Sequence, residues 1–150
     1  MSKIAVLCND GVEEIECLTV VDFCRRAGIE VITVSVTGKR QTMGAHQIVF
    51  HADEVYADMN FDEFDGIVYP GGPGTGAMGE NPGVKELAKK FLNNGKMLAA
   101  ICEAPGMISD NGIFKEKQAN GSQGCKTERG AIWSEAAEVV DGHLVHGKGP

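Results

Sequence analysis

Apolar positions along this chain fall into two rhythms. KIAVLC (3–8) and KMLAAIC (96–102) are nearly unbroken apolar runs. Runs of that kind suit strands buried on both faces. IEVITVSV (29–36) is rich in β-branched residues, and DGIVYPGG (65–72) runs into a glycine-rich turn, so both predict strands. Between these runs the spacing becomes helical. EEIECLTVVDFCRRA (13–27) has glutamates in its first turns, arginines in its last, and Gly28 as a stop. NPGVKELAKKFLNNG (81–95) opens on Asn81 as a cap with Pro82 behind it, and closes on Gly95. EAPGMISDNG (103–112) predicts a short helix and its stop.

Residues 40–60 are mixed and predict a small hairpin and a loop. From 117 onward strands and turns are expected. AIWSE (131–135) and AEVVDGHLVHG (137–147) are the candidates, with Asp141–Gly142 as a hairpin turn. Apolar strands alternating with helices predict an α/β fold: one mostly parallel sheet with helices on both faces, spanning 1–150 as a single domain. In such sheets the site lies beyond the carboxyl ends of the strands. NDGVEE (9–14), PGGPGTG (70–76) and CEAPG (102–106) are the loops that meet this rule.

Cys102 stands where a buried strand turns sharply into a helix. A nucleophile on such an elbow is held exposed above the sheet. The amides that follow would stabilise a thiolate and lower its pKa. The same position also suits a small buried thiol that only packs. Glu16 shares a helical stripe with Val20, Phe23 and Ala27, which predicts that this stripe faces the sheet. A carboxyl there would reach the cleft and be held protonated by desolvation. The alternative is a solvated glutamate like Glu13 and Glu14. PGGPG (70–74) offers backbone amides but lacks the spacing of a nucleotide loop.

Composition narrows the function. The net charge is −7 and no Lys/Arg cluster exceeds two residues, which argues against a nucleic-acid partner. No run approaches the roughly 20 apolar residues of a membrane span. The five cysteines show no CxxC spacing, so no metal site or disulfide framework is expected, and reduced thiols in the cytoplasm are. Neither HExxH nor H-x-E occurs. Cys17 and Cys24 lie on one helical face and suit packing. Tyr69 and Trp133 are expected in the core.

GVEEIECLTVVDFCRRAGIEV (11–31), DGIVYPGG (65–72), AAICEAP (99–105), WSE (133–135) and GKGP (147–150) together resemble the ThiJ/PfpI superfamily, in particular its parkinsonism-associated deglycase branch. The resemblance implies a flavodoxin-like sheet and a homodimer. It casts Cys102 as the reactive thiol and Glu16 as the protonated carboxyl beside it. Amides around Gly71, Gly72 and Glu103 would form an anion pocket, and His46 lies near a position that binds anions in some relatives. The implied activity is cofactor-independent: a glyoxalase or deglycase acting on small aldehydes such as methylglyoxal. The alternative is a redox-sensing, chaperone-like protein whose Cys102 meets an oxidant and becomes a sulfinic acid.

Three departures from the family pattern stand out. Many members place a histidine about twenty residues after the nucleophile, and Gly121 is aligned there, with Cys125 nearby. Glu103 directly follows the cysteine, where relatives carry a small residue or histidine; it is expected to point to solvent. The final helix that follows GKGP in relatives is missing from this sequence, which predicts an uncovered sheet face and stronger association.

Overall fold

The structure, a computed structural model, describes residues 1–109, 112–123 and 130–150. Cys125 lies outside the described residues. Strands β1 (Lys3–Cys8), β2 (Glu30–Ser35), β5 (Glu54–Val55), β6 (Gly66–Tyr69), β7 (Met97–Ile101), β10 (Glu138–Asp141) and β11 (Leu144–Gly147) form one sheet in the order β10-β11-β7-β6-β1-β2-β5. All neighbours run parallel except β10 and β11, which form a hairpin. Two small pairs stand apart: β3 (Gln41–Met43) with β4 (Val49–His51), and β8 (Gln118–Ala119) with β9 (Ile132–Trp133).

Helices α2 (Thr75–Gly79), α3 (Pro82–Asn93) and α4 (Ala104–Ser109) pack on one face, over a core that includes Leu7, Ile67, Tyr69, Phe91, Leu98 and Leu144. Helix α1 (Glu14–Arg26) packs on the other, over Val6, Cys8, Val31 and Val68. The all-apolar strands follow from this: β1 and β6 are covered on both sides, so neither of their faces tolerates polar atoms. The sheet is the mostly parallel one that the alternation predicts.

Caps form where expected. Asn81 accepts from Gly83 N at 3.0 Å, and Pro82 takes the first helical position of α3. The β10–β11 loop is Gly142–His143, one residue later than the Asp141–Gly142 turn expected. Helix α2 was not foreseen, because its TGAMG reads as a loop continuing the glycine-rich turn.

The stripe expected on α1 is corrected. Phe23 is 67% exposed and Ala27 is also exposed. The helix instead buries Cys17 and Val21, with Cys24 packed behind them. Glu16 is buried all the same, at 3% exposure. It lies at the N-terminal end of α1, where the helix overhangs the carboxyl end of β1. Glu14 is also not the solvated glutamate expected. It is 5% exposed and accepts from His46 through both backbone and ring.

Candidate active site

The chain leaves β1 outward to β2, then crosses back to β6 and β7 on the other side, so the sheet order reverses beside β1. Clefts form at such reversals. Helix α1 delivers Glu16 to this point, the turn after β6 delivers Gly71, and the end of β7 delivers Cys102. One local contact network holds the three together.

Cys102 has φ +60°, a left-handed conformation that costs a non-glycine residue about 1–2 kcal/mol. The surroundings enforce it. Cys102 N donates to Gly147 O at 2.9 Å, and Ser122 N donates to Cys102 O at 2.6 Å. The elbow expected from the sequence is therefore present, with Glu103 exposed beyond it.

Gly71 N donates to Glu16 Oε2 at 2.7 Å. A Cβ on Gly71 would stand 2.8 Å from Cys102 Cβ and 2.9 Å from Glu16 Oε2, so only glycine lets these groups meet. Gly149 closes the other side. A Cβ there would lie 2.9 Å from Glu16 Oε1 and 3.2 Å from Cys102 Sγ. The thiol and the carboxyl hydrogen-bond to each other. Glu16 Oε1 is buried with no conventional partner among the described residues and borders the space beside the sulfur.

Burial holds the Glu16 carboxyl above its ordinary range, against the pull of the Gly71 amide. Burial also pushes the Cys102 thiol up, to about 11, and the Glu16 charge adds to the rise. A hydrogen bond from Ser122 and the Glu103 amide oppose it. This corrects the expected low-pKa thiolate. Helix α4 has six residues, and what its amides offer is outweighed by desolvation and a neighbouring carboxylate. Both members of the pair therefore resist ionisation, the carboxyl by its burial and the thiol by its burial and the carboxyl beside it.

Ser122, not Gly121, is the residue that touches the thiol. It lies in the polar stretch NGSQG, where no periodicity marks one residue over its neighbours. Ser122 also lines a cavity of about 580 Å³ with Gly121, Gln123, Trp133, Glu135 and Lys148. Trp133 is half-buried on this wall, not in the core as expected. Tyr69 is in the core, its hydroxyl donating to Val84 O at 2.8 Å. His46 does not join the thiol. Its Nδ1 lies 2.8 Å from Glu14 Oε2 and 3.6 Å from Glu13 Oε2, tying the β3–β4 hairpin to α1.

His146, on β11, is a buried residue that sequence reasoning left unassigned. It is 1% exposed, its ring packs edge-on against Phe114, and burial lowers its pKa to about 4.

Comparison with known proteins covers the whole chain. The model of the DJ-1/PfpI family matches residues 2–150. The chain is 32% identical to protein dj-1beta of Drosophila melanogaster, across all of this chain and 83% of that one. It is 30% identical to a deglycase of Pyrococcus abyssi, across 99% of this chain and 90% of the other. The crystal structure of a DJ-1 superfamily protein from Salmonella typhimurium, in a cysteine-to-alanine mutant, aligns with a TM-score of 0.93 at 30% identity over 99% of this chain and 82% of that one. The match takes in β1, the elbow and the closing strand alike, and the chain belongs to the DJ-1/PfpI family.

Proposed function

We propose that the chain is a cysteine-dependent, cofactor-independent glyoxalase or deglycase that removes reactive aldehydes such as methylglyoxal. The deglycase names of its relatives support this reading. The observation that carries it is the buried Glu16 carboxyl hydrogen-bonded to the Cys102 thiol, with Gly71 fixing the carboxyl from behind.

Glu16 is the base. Its raised pKa makes it a stronger proton acceptor than an ordinary carboxylate, closer to the thiol it must serve. As Cys102 Sγ attacks the aldehyde carbon, the thiol proton passes to Glu16 and the carbonyl oxygen becomes the oxyanion of a hemithioacetal. The Glu103 amide, from which the sulfur accepts a hydrogen bond, is the donor that would serve that oxygen. Glu16 gives the thiol proton to the oxyanion, and as a carboxylate again it carries the proton of the former aldehyde carbon to the neighbouring carbonyl carbon while the hydroxyl proton passes to the second oxygen, giving a lactoyl thioester. Water cleaves the thioester to lactate and restores the thiol. No external oxidant or reductant is consumed.

Redox sensing through a sulfinic acid needs a standing thiolate, which burial and Glu16 oppose. Catalysis needs the anion only as the bond forms. We place the protein in a reducing cytoplasm, where its described cysteines stay free. We also propose a homodimer. Ile15, Met43, Ile48 and Val49 lie exposed where the hairpin meets the N-terminal end of α1, with Phe23 exposed further along the helix.

Incubation with methylglyoxal, followed by lactate assay, tests the activity. Lactate above a Cys102→Ser control is expected; none above that control removes the enzyme.

A further inference from the structure

The cavity beside Ser122 is larger than the function above requires. Its volume, about 580 Å³, is within the size range of pockets that hold drug-sized ligands and far exceeds what a three-carbon dicarbonyl fills. The backbone sets it next to the sulfur. Ser122, on its wall, donates from its amide to Cys102 O at 2.6 Å. Lys148, on the same wall, precedes Gly149, where a Cβ would stand 3.2 Å from Cys102 Sγ. The rest of the lining is of mixed chemistry. Trp133 brings a half-buried indole, and Gln123 an amide that both donates and accepts. Glu135 Oε2 and Lys148 Nζ lie 3.5 Å apart, an acceptor and a donor side by side. The Lys148 side chain is 37% exposed and that of Glu135 73%, so neither is sealed from a ligand.

We propose that this cavity is a subsite for the hydroxylated carbon chain of sugar-derived 2-oxoaldehydes, whose carbonyl end meets Cys102. This rests on Cys102 being the group that attacks the aldehyde. Each hydroxyl of such a chain both donates and accepts. Two neighbouring hydroxyls therefore answer the Glu135–Lys148 pair, one donating to the carboxylate and the other accepting from the ammonium. The C–H groups of the chain suit the electron-rich face of the Trp133 indole. An alkyl chain of the same length would cover those polar groups without pairing them, which costs binding energy. A carboxylate on the chain would meet the like charge of Glu135, and an ammonium that of Lys148.

The test compares 4,5,6-trihydroxy-2-oxohexanal with 2-oxohexanal, which has the same carbon chain and reacting end but no hydroxyls on its tail. Binding to the Cys102→Ser chain is read by calorimetry and by the emission of Trp133, the one tryptophan of the sequence. The hydroxylated aldehyde is expected to bind about tenfold more tightly than its alkyl counterpart and to shift the Trp133 emission. Lys148→Met and Trp133→Leu, introduced singly and read by calorimetry, should each reduce that preference about threefold. Equal affinity for the two aldehydes, tighter binding of 2-oxohexanal, or a preference that both substitutions leave in place would overturn the proposal. The comparison of the two aldehydes needs no change in the cavity, so it decides the matter even where a cavity variant does not fold. It needs no turnover either. A chain that makes no lactate from methylglyoxal but keeps the preference loses the activity and retains the subsite; lactate without the preference retains the activity and overturns the subsite.

Discussion

Glu16 and Cys102 press on the same point in space: a methyl on Gly149 would stand 2.9 Å from the carboxyl Oε1 and 3.2 Å from the sulfur. Nothing larger than a hydrogen fits there, and Gly149 also has φ +101°. Gly149→Ala should therefore force the pair apart and strain the backbone. A loss of about 1–3 kcal/mol in stability is expected. Cys102 alkylation by iodoacetamide should change with it. Unaltered alkylation and an unaltered melting midpoint would mean that the segment closing the pocket is not where the structure puts it.

A carboxyl whose pKa is raised on folding costs stability once it ionises. Below the unfolded pKa both states are protonated and Glu16 is neutral to folding. Above the raised folded value the native state carries a buried charge that the unfolded state solvates freely. Glu16→Gln keeps an oxygen for the Gly71 amide and removes the charge. It should stabilise the protein by about 1 kcal/mol at neutral pH while abolishing turnover. Urea titrations at pH 7 check the sign; a destabilised variant would show that the charge is compensated.

His146 works in the opposite sense. Burial lowers its pKa to about 4 from an ordinary 6.5. The unfolded chain therefore takes up a proton between those values and the native chain does not. Stability from neutral His146 is fully present above pH 6.5 and is lost as pH falls towards 4, by up to about 3 kcal/mol. His146→Leu should be less sensitive to pH over that window. Parallel stability curves for wild type and variant would contradict the assignment.

Ser122 supplies the only side-chain hydroxyl on the sulfur among the described residues. Its loss in Ser122→Ala removes a donor to the developing sulfur anion. Alkylation of Cys102 should slow about threefold to tenfold, with the fold unchanged by circular dichroism. An unchanged rate would remove Ser122 from the site.

Much of this site could be read from the chain. β1, β6 and β7 are apolar because both faces are covered, and a cysteine ending such a run marks itself. The signal for Glu16 was weaker, and the stripe used to reach it was wrong: Phe23 and Ala27 face solvent. Burial of Glu16 comes from the overhang of α1 above β1, a tertiary fact that helical periodicity does not encode. Ser122 and Gly149 lie in loops, where position depends on which strands are neighbours. The direction of the thiol's pKa was unreadable as well. Dipoles can be inferred from an elbow, but how far the sulfur and its carboxyl are buried depends on the packed structure around them.

The pH dependence of Cys102 alkylation, with and without Glu16→Gln, tests the coupling of sulfur and carboxyl most directly. In the wild type the midpoint should lie well above that of a free thiol, near 11, and Glu16→Gln should bring it down. A wild-type midpoint below that of a free thiol, or one that Glu16→Gln leaves in place, would contradict it.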